Sequence, residues 1–455
     1  MKTGWTERLA RNLAFTVREM VTLARLSAPI TLGLLGGSAF SAIDSYMLSP
    51  IGELALACAS LTNSVLIIFC SAIFGLASPV GILAGNAYGA RQSELIENVY
   101  RNGLVVALFG GLTLATIMLA LLPFMGHVGQ PSEVITALPE YWVAMALSLI
   151  PYSMSMVIKL LLDSIGQPWI SALLSLLPAV VVVPLNWLLI YGNWGFPALG
   201  LVGAGIATLI AQVFGYFVLR LYLRYADGVA IPMFGGIDRA RMIEFARHGL
   251  PMSLQYLAES GAIGVIGILI GLFGSVALAA NQVALSLGEL VYMIPLGVAG
   301  AVGILIAQAT GEGAYARVRS LGVASFALVM LTTLPFGAAM MMFGKEIAAL
   351  FVLDGEVASL LIVMLATIGA IQIVDGLQSV ALGALRGLLD NRWPTAVALI
   401  AYWAVAMPMS IVLGFALHLG PVGVWSGFGF GVLFATLLLA YRFMQQTRQL
   451  AVTGN

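Results

Sequence analysis

Residues 54–82 read LALACASLTNSVLIIFCSAIFGLASPVGI, a stretch that contains no charged side chain. A run of 18 or more apolar residues is long enough to cross a hydrocarbon layer about 30 Å thick as a helix. The whole chain has the same character: of its 455 residues, 61% are hydrophobic and 9% are charged. Soluble domains carry about 25% charged residues. The sequence therefore predicts an all-α integral membrane protein.

Twelve such apolar runs follow one another along the chain, and each predicts one transmembrane helix. They cover residues 26–48, 54–82, 103–122, 134–158, 169–191, 198–222, 249–272, 276–308, 321–343, 357–384, 394–417 and 421–440. With a cytoplasmic N-terminus and alternating loops, nineteen of the twenty Lys and Arg residues fall on the cytoplasmic side, and Lys345 lies outside. Cytoplasmic loops of membrane proteins are rich in basic residues, so we expect both termini to be cytoplasmic.

The opening stretch has a counterpart in the second half of the chain. Leu54-Ala-Leu-Ala corresponds to Val276-Ala-Leu-Ala, and Val80-Gly-Ile-Leu corresponds at the same offset to Val302-Gly-Ile-Leu, without a gap. Chance similarity among Gly- and Ala-rich helices is the alternative explanation. After six helices, an even number, the chain is back on the side of the membrane where it started, so both copies of the repeat have the same orientation in the membrane. We therefore predict two six-helix bundles related by an axis along the membrane normal, with the substrate region between them.

This repeat divides the chain into five predicted parts. They are a cytoplasmic N-terminal segment at 1–25, a first six-helix bundle at 26–222, a cytoplasmic linker at 223–247, a second bundle at 248–442 and a cytoplasmic tail at 443–455. The zero net charge gives no support for a nucleic-acid partner. Gly344-Lys345 lacks the spacing of a P-loop, and no catalytic Ser/His/Asp or Cys/His set can be assembled. We expect no enzyme and no cofactor, and transport, if that is the role, must draw on an ion gradient.

Three acidic residues, Asp44, Glu259 and Asp375, lie inside long apolar stretches, and Glu289 is a fourth candidate. A carboxylate in the bilayer core costs at least about 2.5 kcal/mol, so it usually faces a protected cavity and handles an ion, a proton or a charged ligand. Glu259 and Asp375 lie about 16–18 Å along a helix from the nearest cytoplasmic arginine, near the middle of the membrane. Asp44 lies nearer the outer end. The acids are therefore the candidate functional groups.

Each acid also has a plainer explanation. Asp44 could reach the outer interface or cap a helix break, and Glu259 and Asp375 could make buried structural hydrogen bonds. Glu289 and Tyr292 are three residues apart on one helix face and could be a polar packing pair. None of the three central acids has an acidic counterpart in the other copy of the repeat, which favours a functional use.

Several motifs, in this order and spacing, resemble those of multidrug and toxic compound extrusion (MATE) transporters of the bacterial NorM-like kind over residues 15–445. They are Leu26-Ser-Ala-Pro-Ile, Gly85-Asn-Ala-Tyr-Gly-Ala-Arg, Pro184-Leu-Asn-Trp-Leu-Leu-Ile-Tyr-Gly, Pro197-Ala-Leu-Gly-Leu-Val-Gly-Ala-Gly-Ile-Ala-Thr, Ala279-Ala-Asn-Gln-Val-Ala, Ala384-Leu-Arg-Gly and Trp393-Pro. The resemblance implies two six-helix bundles arranged as a V. It also implies export of organic cations against inward Na⁺ or H⁺.

The resemblance implies a cation site in the second bundle. NorM-like members use a glutamate in helix seven, a tyrosine in helix eight and an aspartate in helix ten. Glu259, Tyr292 and Asp375 stand at those places and are the candidate ligands for Na⁺ or the carriers of H⁺.

A second site is implied in the first bundle, where the family uses an aspartate in helix one, an asparagine in helix five and a threonine in helix six. Asp44, Asn186 and Thr208 match. An aspartate often follows that asparagine by four residues, but this chain has Ile190 there. The departure argues against Na⁺ in the first bundle and leaves Asp44 open to proton use.

The predicted substrate-binding residues are Asp44, Gln282, Glu289, Asp354 and Asp375; Gln282 and Asp354 are assigned through the resemblance. The partners we expect are small hydrophobic cationic drugs or dyes and membrane lipid, for a monomer in the bacterial inner membrane. A lipid-linked saccharide flippase of the same superfamily is the nearest alternative. Such proteins tend to line the cavity with several basic residues, and we expect no intramembrane Arg or Lys in the core of the first bundle of this chain. A channel and a membrane-embedded enzyme are more distant alternatives. A current that is independent of counter-ion gradients would favour the channel, and activity retained in the solubilised protein would favour the enzyme.

Overall fold

The computed structural model of the protein describes residues 2–127, 131–225, 238–351 and 355–453. These residues form twelve helices that are long and apolar enough to span a membrane. In chain order they are α1 (Thr16–Ile51), α2 (Glu53–Gly89), α3 (Ser93–Gly126), α4 (Pro139–Ser164), α5 (Pro168–Leu189), α6 (Gly200–Tyr225), α7 (Arg239–Gly271), α8 (Ser275–Gly311), α9 (Tyr315–Met342), α10 (Gly355–Gly387), α11 (Arg392–Ala416) and α12 (Gly420–Leu450). The predicted all-α class and the predicted number of helices are confirmed.

Several helices are longer than the apolar runs that predicted them. The helix that contains α1 begins at Lys2, and α7 begins at Arg239 inside the segment predicted to be a linker. Hydropathy marks only the part of a helix that suits lipid, whereas the backbone hydrogen bonds continue into the flanking polar residues. The ends were therefore less accurately predicted than the number of helices.

The helix α11 is not a regular α-helix. Ile400–Ala406 and Val412–Ala416 are π-helical, and Pro408 lies between them. The amide of Leu417 donates to the carbonyl of Val412, five residues earlier. A proline lacks the amide hydrogen and clashes with the carbonyl four residues before it, so a wider turn relieves the crowding. Turns of this type often occur at functional sites.

Contacts between Cα atoms divide the chain into two units. One unit contains residues 32–253, and the other contains residues 1–31 together with 254–455. In the first unit α4 packs against α2, α3 and α6; in the second unit α10 occupies the corresponding place, against α8, α9 and α12. These limits differ from the predicted bundle limits because each division point falls within a helix, α1 or α7.

The exchange of segments between the halves is reciprocal. The division points fall after Thr31 and after Ser253, and these two residues correspond to each other at the offset of the sequence repeat. Thr31 packs against Gly297 of α8, and the Ser253 hydroxyl donates to the Ala72 carbonyl of α2 at 2.7 Å. The first part of each leading helix therefore belongs to the unit formed by the other half of the sequence.

Glycines allow the helices of each unit to approach closely. A Cβ on Gly383 of α10 would collide with the backbone of Ala299 in α8, and one on Gly303 would lie 3.0 Å from the Gly383 carbonyl oxygen. Lipid supplies no hydrophobic drive between helices, so small residues that maximise van der Waals contact hold them together. This close packing brings α8, which carries Tyr292, and α10, which carries Asp375, side by side.

Candidate functional site

The first unit holds Asp44 inside the helical bundle. Its side chain lies near the end of α1 and is 6% exposed. Asn186 Nδ2 of α5 donates to Asp44 Oδ1 at 2.6 Å, and Thr208 Oγ1 of α6 donates to Asp44 Oδ2 at 2.9 Å. The carboxylate is held by side chains of two other helices, and both of these hydrogen bonds are buried. The three residues predicted together are therefore in contact.

The surroundings of Asp44 contain one unused acceptor. Asn186 is fully buried, and its Oδ1 has no hydrogen-bond partner in the described residues. Ile190, one turn further along, is 3% exposed and fills the position where the family often has a second aspartate. A single carboxylate with two neutral donors offers few ligands for a bare metal ion. It can hold a proton or face an organic cation.

Glycines position the Thr208 helix. A Cβ on Gly205 would lie 3.0 Å from the Tyr141 ring and 3.0 Å from Ala144 Cβ on α4, and a Cβ on Gly203 would collide with the Leu189 carbonyl on α5. Since a larger residue at either position would push α6 away, both glycines keep Thr208 within hydrogen-bonding distance of Asp44.

The second unit brings Glu259 and Tyr292 into contact. Tyr292 OH on α8 donates to Glu259 Oε1 on α7 at 3.2 Å, and Ser379 Oγ on α10 donates to Tyr292 OH at 3.0 Å. Asp375, one turn before Ser379, interacts electrostatically with Glu259. The three residues predicted for the second unit therefore form one cluster, which three helices build.

Four more side chains belong to this cluster, and the sequence did not assign them to it: Ser379, Gln378, Tyr402 and Arg386. Gln378 Nε2 donates to Tyr402 OH at 2.5 Å. Tyr402 is 1% exposed, lies on the first π-helical stretch of α11 and stacks on Phe428. Ser379 and Gln378 could have been found from their spacing of one turn after Asp375. Tyr402 had no signal, because an aromatic residue in an apolar run predicts core packing.

Two of the remaining predicted substrate residues make no hydrogen bond with the cluster in the part of the chain that the structure describes. Gln282 and Glu289 are exposed side chains of α8, and no hydrogen bond of either side chain occurs in the described residues. Asp354 lies outside the described residues. The described residues also contain no group of three His, Cys, Asp or Glu side chains that could hold a metal ion. A cation in the second unit would therefore use hydroxyl oxygens beside the two carboxylates.

Lys159, which the sequence assigned to the cytoplasmic side, is buried in the first unit, so the expectation of no basic residue in the core of the first bundle was wrong. Lys159 is 6% exposed, and its Nζ lies 3.1 Å from Asp163 Oδ2, one turn further along α4. The lysine Cε would touch a Cβ on Gly33 of α1. The pair is thus inside the bundle, and each charge compensates the other.

The described residues form twelve spanning helices in two units, and each unit contains a hydrogen-bonded carboxylate. These features define a multi-pass membrane transporter. The comparisons with known proteins identify its family. The family model described as MatE matches the chain twice, at residues 29–188 and 251–412. The matches begin at Pro29 and Pro251, which have the same offset as Leu54 and Val276, and this confirms the internal repeat.

Relatives match along nearly the whole chain. A protein of Bradyrhizobium diazoefficiens is 31% identical and covers 95% of this chain and 94% of its own length. Proteins of Rhizobium meliloti (30% identical, 94% and 93% covered) and Pseudomonas aeruginosa (29% identical, 95% and 90% covered) are similar to the same extent. All three are named probable multidrug resistance protein NorM.

Solved structures show the same fold. A MATE protein crystallised in the bent conformation matches with a TM-score of 0.87 and 21% identity, over 96% of this chain and 99% of its own. A eukaryotic MATE transporter matches with a TM-score of 0.86 and 21% identity, over 97% and 100%. The chain belongs to the MATE family, and it is a transporter and not an enzyme.

Proposed function

We propose that this protein exports small hydrophobic organic cations from a bacterial cell in exchange for inward Na⁺ or H⁺. The proposal rests most directly on the Glu259–Tyr292–Asp375 cluster, in which Tyr292 donates to Glu259 and the two acids of an apolar protein interact electrostatically. The bacterial relatives are named probable multidrug resistance proteins, which supports the class of substrate. The distribution of basic residues supports an inner-membrane protein with both termini in the cytoplasm.

The two units have different ion chemistry under this proposal. The second unit combines two carboxylates with hydroxyl groups, and hard cations such as Na⁺ prefer oxygen ligands. The first unit has one carboxylate and the apolar Ile190, so Asp44 carries a proton or faces the organic cation. Inward ions at Glu259 and Asp375 then compete with the bound organic cation and release it outward.

The energy available is adequate for export. A membrane potential supplies about 2.3 kcal/mol per charge per 100 mV. At about 1.4 kcal/mol for each factor of ten, each inward charge beyond the one that the exported cation carries outward supports a substrate gradient of roughly fifty-fold. A one-for-one exchange of monovalent cations moves no net charge and draws on the concentration gradient of the coupling ion. A flippase of the same superfamily would need basic groups for an anionic headgroup, and the buried Lys159 is already paired with Asp163.

Dye efflux from loaded vesicles tests the proposal. We expect Glu259→Gln and Asp375→Asn to abolish efflux, because each removes a charge that the coupling ion must neutralise. Glu356→Gln is the matched control, since Glu356 is an exposed acid on the same helix as Asp375. Unchanged efflux in both site variants would refute the assignment of the coupling site.

A further inference from the structure

Arg386, near the end of α10, is directed at the helix that carries Glu259. Its Nη1 donates to Tyr256 OH at 2.7 Å, and its Nη2 donates to Gln255 Oε1 at 3.1 Å. The guanidinium carbon also lies 4.7 Å from the centre of the Tyr256 ring. Three contacts with two neighbouring residues of α7 fix the position of the positive charge.

The two residues that hold the Arg386 guanidinium lie one turn before Glu259 along α7. Gln255 and Tyr256 precede Glu259 by four and three residues, a rise of about 5–6 Å on the same helix face. Arg386 and Glu259 interact electrostatically. The other groups that face Glu259 from neighbouring helices are Tyr292 of α8, Asp375 of α10 and Tyr402 of α11. Among these described groups, Arg386 is the one cation.

The net charge of the cluster limits the number of cations that it can bind. Glu259 and Asp375 contribute two negative charges and Arg386 contributes one positive charge, so one negative charge remains. We infer that Arg386 belongs to the ion site as a specificity-determining charge, which limits the cluster to one monovalent cation where the two acids alone would hold two. This inference rests on the proposed function, in which the cluster binds the coupling ion.

A merely structural role for Arg386 makes the opposite prediction. If the side chain only held α7 against α10, its loss would loosen the cluster and weaken cation binding. If its charge offsets one carboxylate, its loss leaves two uncompensated negative charges in a medium of low dielectric constant, and cation binding becomes tighter. The sign of the change in affinity therefore separates the two roles.

Binding of Na⁺ alone to the purified protein in lipid nanodiscs, followed by calorimetry or with radioactive Na⁺, provides the test. Arg386→Gln removes the positive charge. Gln255→Glu keeps the arginine but adds a carboxylate at its Nη2, which gives the cluster the same net charge. Arg386→Lys keeps the charge. Arg442→Gln is the matched control, since Arg442 also lies over an aromatic ring, that of Trp393, but pairs with Asp390.

We expect Arg386→Gln and Gln255→Glu to bind Na⁺ about ten-fold or more tightly than the wild type and Arg442→Gln to bind it as the wild type does, with Arg386→Lys closer to the wild type than Arg386→Gln because it keeps the charge. If wild-type binding is too weak to detect, the first two variants should still bind measurably. Equal or weaker binding in both would overturn the inference. Because Gln255→Glu retains Arg386, the test stands even if Arg386→Gln does not fold. The proposed function fails separately, if the wild type shows no gradient-driven transport.

Discussion

Ile190 is the residue that leads us to expect no metal ion at the Asp44 site. It follows Asn186 by one turn, and the Ile190 amide donates to the Asn186 carbonyl, so the side chain lies on the same face of α5. Ile190→Asp would add a second carboxylate beside Asp44. We expect the variant to be less stable than the wild type in Na⁺-free buffer, because two buried charges repel, and to regain stability when Na⁺ is added.

Thermal unfolding in the presence and absence of Na⁺ measures this effect. Ile190→Asn is the control, since it has a similar shape to aspartate without the charge, and its midpoint should not respond to Na⁺. A midpoint for Ile190→Asp that is equally insensitive to Na⁺ would mean that the apolar residue is not what excludes the metal ion.

Thr208 holds one oxygen of Asp44, so its hydroxyl should matter more than that of other threonines. Thr208→Val keeps the shape but leaves Asp44 Oδ2 without its donor, at a cost of about 1–3 kcal/mol. We expect slower dye efflux and a lower unfolding temperature. Thr367→Val is the control, because the exposed Thr367 hydroxyl bonds only to the backbone carbonyl of Val363. If the two variants had the same rate of dye efflux and the same unfolding temperature, the role of Thr208 would be contradicted.

For single residues, the sequence predicted the acids, and the resemblance supplied Asn186, Thr208 and Tyr292, whereas the other side chains around Glu259 were missed. Asp44, Glu259 and Asp375 were predictable because a charge in an apolar run is an energetic anomaly. Ser379 and Tyr402 are neutral and carry no such signal, and Arg386 looked like an ordinary basic residue at a helix end. Their roles depend on which helices are neighbours, which a single sequence does not specify.

Among the helices, α8 and α10 depend on glycine for their contact. Gly383→Ala would place a methyl group against the backbone of Ala299, and overpacking of this kind costs about 1–3 kcal/mol. We expect a lower unfolding temperature for the protein in detergent. Gly264→Ala on α7 is the control, since a Cβ there meets nothing within 4 Å. It should be neutral or slightly stabilising, because alanine favours helix by about 1 kcal/mol.

A Gly383→Ala variant as stable as Gly264→Ala would show that the helices separate at little cost. The chain contains 51 glycines, and the sequence does not specify which of them lie at a contact between helices. The π-helical turns of α11 were likewise not predicted, because Pro408 indicates an interruption without specifying its geometry.

In the whole molecule, the repeat was predictable and the exchange of segments was not. The offset between the two copies is readable from matching motifs, and the family model finds the same offset. The packing of residues 1–31 with the second half, including the ion pair of Glu19 with Arg317 at 3.0 Å, depends on tertiary contacts. The predicted V arrangement, monomeric state and lipid contacts stay predictions.

The central claim is that an ion gradient acting at Glu259 and Asp375 drives export. The direct measurement imposes a Na⁺ gradient and a pH gradient separately on vesicles containing the purified protein and follows a cationic dye. We predict that at least one gradient drives dye transport by the wild type and that neither drives it in Asp375→Asn. Transport that ignores both gradients, or that Asp375→Asn retains at the wild-type rate, would contradict the account.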